Sequence, residues 1–173
     1  INLPAFWIGR APVTNVQFAR FVAATAYKTT AERQHYGWGW IGDQWTHIKG
    51  AQWRHPREPD SSIVGKDDHP VVQVNWHDAK SFCIWAGLVL PTEEQWEKAA
   101  RGTDGRVWPW GDELPTSEHC NFKNNVGDTT PVGKYTYKGG SPYGCVDMAG
   151  NVWEWTASWY IEGETLALCG GAW

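Results

Sequence analysis

An α+β fold is what this sequence predicts, and three features predict it. Helix-starting motifs followed by apolar stripes recur as far as Gly102. Beyond that point glycine, proline, asparagine and aspartate interrupt the chain every few residues. Fourteen tryptophans and nineteen glycines in 173 residues combine large flat side chains with many turns. Such a chain packs aromatic rings between short strands and loops, and its length suits one domain with a real core.

Taken in order, Leu3 to Ile8 is apolar and ends at Gly9, which predicts a short strand. Thr14 followed by Gln17 makes a capping box, and Phe18, Phe21 and Val22 form one stripe, so a helix is expected from about Asn15 to Ala24. Periodicity is lost from Tyr27 to Asp68, yet Trp38, Trp40, Trp45 and Trp53 argue that the segment packs. Within it, residues 37–40 and 45–47 are expected to pair as a small hairpin. Residues 69–74 read as a strand. Asn75 caps the next helix with Asp78 in its first turn, Trp76, Ala79, Phe82, Cys83 and Ala86 share a face, and Gly87 follows as the stop. Thr92 and Gln95 repeat the capping box, with Trp96, Ala99 and Ala100 inward and Gly102 at the end.

Composition excludes some functions. A net charge of -4 gives no basic footprint for nucleic acid, and no apolar run approaches membrane-spanning length. Cys83, Cys120, Cys145 and Cys169 lack Cys-x-x-Cys spacing and make a poor zinc site; buried thiols or one disulfide are expected. His35, His47, His55 and His69 are spaced as no ligand pair on one helix or strand would be, and read as scattered surface residues. Nothing fixes the compartment, although a secreted or cell-envelope location is favoured over a cytoplasmic one.

The chemistry concentrates between Asp147 and Thr156. A tight turn at Gly150-Asn151 leads into alternating residues suited to a strand, while Asp147, Glu154 and carbonyls freed by the turn suit a hard cation such as calcium, which takes six to eight oxygens.

An ordered series of motifs carries a family resemblance: residues 12–15, 69–72, 75–79, 90–97, 100–102, 108–111 (Trp-Pro-Trp-Gly), 144–156 and 170–173 (Gly-Gly-Ala-Trp). In this order they resemble the sulfatase-modifying-factor family, which includes the formylglycine-generating enzymes and is similar to the variable proteins of diversity-generating retroelements. The resemblance implies a C-type-lectin-like fold of the formylglycine-generating type, with two main helices against short twisted antiparallel strands and many loops. It also implies two structural calcium ions, one held by Asp147, Gly150, Val152 and Glu154, the other by Asn121, Phe122, Asp128 and Thr130, and Trp153 and Trp155 would then brace the core beside the site that a family enzyme uses for chemistry. Cys83 matches a family position that can pair with a cysteine in a tail expected beyond Trp173. Residues 1–173 are expected to form a single domain of this family, incomplete at both ends.

Function divides on the same resemblance. The family's copper-dependent oxidation of a substrate cysteine uses two cysteines a few residues after the Gly-Gly-Ser-aromatic motif. Here Ala172 replaces the serine and no described cysteine falls at a catalytic position. The expectation is a non-catalytic binding or structural module with a protein or peptide partner. The alternative is a copper oxidase whose reactive cysteines lie beyond Trp173. An iron-dependent relative of the sulfoxide-synthase kind would need a histidine-rich companion domain.

Overall fold

The computed structural model describes residues 1–173 and has mixed helix and sheet architecture. Its chain forms two compact units, one from Val13–Val89 and the other from Ile1–Pro12 together with Leu90–Trp173.

In the Val13–Val89 unit, α1 (Asn15–Thr25) and α2 (Thr30–Gln34) precede a hairpin of β1 (Tyr36–Ile41) and β2 (Gln44–Lys49), and α3 (Trp76–Trp85) closes the unit. Each helix begins with a reciprocal capping box: Thr14 with Gln17, Thr29 with Glu32, and Asn75 with Asp78. The stripe expected on α1 is core. Phe18 and Phe21 are buried with Phe82 of α3 and with Trp53, whose ring meets Phe18 edge-on at 5.3 Å. Cys83 packs against the same cluster. Fully buried Asp78 accepts from the Tyr27 hydroxyl (2.9 Å) and the backbone N–H of Thr30 (3.0 Å) and Asn75 (3.0 Å), tying α3 to α2.

The expected hairpin is present, turning at Gly42 and Asp43, both at positive φ, as a two-residue hairpin turn requires. Its register pairs Trp38 with His47 and Trp40 with Trp45, leaving these tryptophans on one outward face, 51%, 60% and 59% exposed for Trp38, Trp40 and Trp45. Gly37 belongs to the opposite face, where a Cβ would lie 2.3 Å from Gln73 Oε1.

The second unit holds α4 (Glu93–Arg101), the short α5 (Thr136–Gly139) and an antiparallel pair, β3 (Glu154–Ile161) and β4 (Thr165–Cys169), whose register shifts on both sides of Trp159. Thr92 and Gln95 make the capping box of α4. Trp96, Ala99 and Ala100 face inward against Cys145 and Met148. Trp108, Trp110 and His119 stack almost in parallel, with centroids 5.7 and 4.8 Å apart, and so order the turn-rich stretch ahead of Cys120.

Several expectations need correction. Leu3–Ile8 is not a strand; Pro4 removes a donor, Trp7 lies fully in solvent, and nearby Arg10 makes only isolated bonds to Val146 N–H and Gly144 O. Residues 69–74 pair only through a Thr14–Pro70 bridge, because Pro70 cannot donate and Gln73 takes a left-handed φ of 58°. Ala86 is exposed as the cap residue of α3. Three helices of nine to eleven residues are present, not two. The thiols are all free, with Cys120 and Cys145 buried.

Candidate metal centre

Every residue from Cys145 to Val152 is buried, which is unusual for a segment that is a turn rather than a strand or helix. The backbone achieves this with three left-handed residues, Asp147 (φ 58°), Gly150 (φ 82°) and Asn151 (φ 66°), each of a type that tolerates that region. Gly150 is forced by contact as well, since a Cβ there would lie 2.4 Å from the carbonyl oxygen of Asn121. Val152 N–H closes the turn on Gly150 O at 2.9 Å, and that carbonyl keeps a second lone pair.

The turn then delivers Glu154 to the first position of β3, opposite Cys169. Glu154 Oε2 accepts from the Trp96 indole N–H at 2.9 Å, whereas Oε1 is buried without a partner. Asp147 Oδ2 accepts from Gly133 N–H at 2.7 Å. Thus Asp147, Gly150 and Val152 lie on one buried turn, and Glu154 follows it at the start of β3.

The second predicted group comes together in the preceding loop. Asn121 Nδ2 donates to Asp128 O at 2.7 Å, while Asn121 Oδ1 and Thr130 Oγ1 are buried and unpartnered. The Phe122 carbonyl accepts from Asn125 N–H at 3.0 Å and retains a lone pair.

Electrostatics favour a cation at the first group. Burial, opposed by the Trp96 bond and reinforced by Asp147, pushes the Glu154 carboxyl from an ordinary 4.5 to about 7. Burial likewise raises Asp147, against the bonds from Gly133 and Asn151. Two desolvated carboxylates, one of them raised further by the other, are favoured as anions by a compensating positive charge. No three His, Cys, Asp or Glu side chains gather anywhere in the chain. Two carboxylates supplemented by amide, hydroxyl and carbonyl oxygens are a hard-cation donor set, unlike the nitrogen and sulfur sets preferred by copper or zinc. The donor types therefore suit a hard cation, with Glu154 Oε1 the unpartnered oxygen of the first group and Asn121 Oδ1 and Thr130 Oγ1 those of the second.

Sequence reasoning missed three residues of this centre: Trp96 and Gly133, which hold the two carboxylates, and Asn151. Trp153, expected to brace the core, is instead 50% exposed beside the turn. The histidines do not converge. His47 packs against Tyr36 and Trp38, and His55 Nδ1 meets Ser61 O at 2.6 Å.

Comparison with known proteins agrees with the arrangement of motifs. A sequence profile of the sulfatase-modifying factor enzyme 1-like domain matches residues 1–173. Formylglycine-generating enzyme from Thermomonospora curvata is 40% identical over 189 residues, covering 92% of this chain and 62% of that protein. The inactive C-alpha-formylglycine-generating enzyme 2 of Bos taurus is 35% identical over 206 residues, covering 100% of the chain and 67% of the relative. The crystal structure of CarF shares the fold, with a TM-score of 0.59 at 21% identity over 94% of this chain and 73% of that one. The chain spans less than two thirds of the Thermomonospora enzyme, and its similarity extends to both an active and an inactive relative. It belongs to the sulfatase-modifying factor enzyme 1-like, or formylglycine-generating-enzyme, family.

Proposed function

We propose that residues 1–173 act as a calcium-braced binding module of the formylglycine-generating type, presenting a surface to a protein or peptide partner. The observation that carries this reading is the outward face of the β1–β2 hairpin. Tyr36, Trp38 and His47 form one aromatic cluster there, and Trp40 and Trp45, packed edge to face at 5.5 Å, form the next pair along the same face. Aromatic surface at low conformational cost is what protein and peptide interfaces use as anchors. Calcium, held by the two oxygen groups, serves stability rather than chemistry. The resident thiols behave as packing residues: Cys83 joins an aromatic cluster, and Cys145 and Cys169 pack with Trp96 and Met148.

A second reading is supported by the 40% identity to the Thermomonospora enzyme. On that reading the chain is the scaffold of a copper-dependent oxidase whose reactive cysteines follow Trp173. The Gly-Gly segment suits such a role, because Trp173 N–H donates to Asn151 O at 3.3 Å and so docks the segment on the calcium turn. Copper(I) titration under a competing chelator, of residues 1–173 and of the chain extended past Trp173, separates the two. The module reading expects no tight stoichiometric binding, and one copper(I) ion bound tightly per chain would contradict it.

A further inference from the structure

Asn151 stands between the two oxygen groups and belongs to neither. It is 1% exposed, and its side-chain amide grips the backbone of Thr130 at both ends. Oδ1 accepts from Thr130 N–H at 2.9 Å, and Nδ2 donates to Thr130 O at 3.1 Å. Its own backbone N–H donates to Asn121 O at 2.9 Å. Asn151 also sits on the same buried turn as Asp147, four residues after it, with both at left-handed φ. One residue of the turn that carries the first group thereby bonds both Asn121 and Thr130 of the second.

The contact is tight as well as polar. Because a Cβ on Gly150 would fall 2.4 Å from Asn121 O, the two backbones meet with no slack beside the Asn151 bonds. A packed contact of this kind transmits small displacements, since close-packed interiors do not deform continuously. An ion that settles Asp147 and Glu154 fixes Gly150 and Asn151. Asn151 in turn fixes the amide and carbonyl of Thr130 and the carbonyl of Asn121.

We propose that the two cation sites are a single cooperative unit coupled through Asn151, so that filling one raises the affinity of the other. The proposal rests on the calcium reading above and adds a property which that reading does not require. The coupling is positive because both ions stabilise the same hydrogen-bonded arrangement, and the first ion bears the ordering cost that the second then avoids. Asn151 is here a positioning residue and contributes no oxygen to either ion.

Calorimetric titration of the calcium-stripped chain tests this. Wild type is expected to bind two calcium ions with a Hill coefficient above one. Glu154→Gln is expected to weaken the remaining Asn121–Thr130 site by at least about fivefold, although Glu154 is no ligand of it. Linkage requires Asn121→Ala to weaken the Asp147–Glu154 site by the same factor. In Asn151→Ala two ions still bind but the cross-effect vanishes, an outcome that a merely structural role would not produce. Should that variant not fold, the wild-type isotherm remains decisive. Two wild-type ions with a Hill coefficient of one, or an unaltered second site in Glu154→Gln, would overturn the coupling alone. No calcium bound at all would overturn the coupling and the calcium reading together.

Discussion

Glu154 is the residue whose chemistry most constrains the molecule. Its carboxyl in the folded, cation-free protein titrates at about 7, above an unfolded value of 4.5. The folded state therefore binds the extra proton, and the stability this group confers is complete below pH 4.5 and lost as pH rises through about 7. In chelator, the melting temperature is expected to fall across that window; in calcium, which holds the anion, the fall should disappear. A chelator profile that rises between pH 5 and 7 would contradict the buried carboxylate. Gly150 gives a second test at this scale. Gly150→Ala meets both an unfavourable φ and the Asn121 carbonyl, whereas Gly105→Ala meets the same φ of 82° in open space. The strain component is about 1–3 kcal/mol in either variant, and denaturant unfolding should show the greater loss for Gly150→Ala. Asp147 and Glu154 were legible in the sequence because two carboxylates flank a glycine turn. Asn151 was not, because its partner Thr130 lies 21 residues away and nothing in the local pattern announces the pairing.

The helices were legible element by element because their caps are local. Thr14, Asn75 and Thr92 each bond the third residue of their own helix, so spacing alone locates the starts. The same signal, Thr29 followed by Glu32, marks α2 within a stretch that otherwise lacks periodicity. Thr92→Ala should lower stability by about 1 kcal/mol in urea unfolding while leaving calcium affinity unchanged. Strands fared worse, because a ladder needs a partner the segment itself cannot show. Residues 69–74 look extended and apolar, but Gln73 turns left-handed to serve β1 instead. Its Oε1 accepts from Trp38 N–H (3.1 Å), and its Nε2 donates to Trp38 O (2.8 Å) and Pro56 O (2.7 Å). Gln73→Ala strips those bonds from the hairpin edge. Hydrogen exchange at the Trp38 amide is expected to accelerate markedly, and unchanged protection would show that the hairpin stands without Gln73.

For the whole molecule, composition indicated an aromatic, turn-rich α+β chain, and the family profile extends across all 173 residues. What composition could not indicate is where buried polar atoms go unsatisfied. Glu154 Oε1, Asn121 Oδ1 and Thr130 Oγ1 are among the few buried side-chain atoms without a partner, and all three belong to the residues that motif order had already assigned to calcium. Unpaired buried polar atoms destabilise a fold by about 1–3 kcal/mol each, so a ligand that satisfies three of them adds substantially to stability. Thermal unfolding of the chain near neutral pH, with excess calcium and with excess chelator, therefore shows whether the two oxygen groups hold the ion. A ligand bound only by the folded state at a hundredfold excess over its Kd adds about 2.7 kcal/mol, a shift of several degrees in a chain of this length. That shift is expected in wild type and its loss or sharp reduction in Glu154→Gln; identical melting temperatures with calcium and with chelator would show that neither group binds calcium in the folded chain.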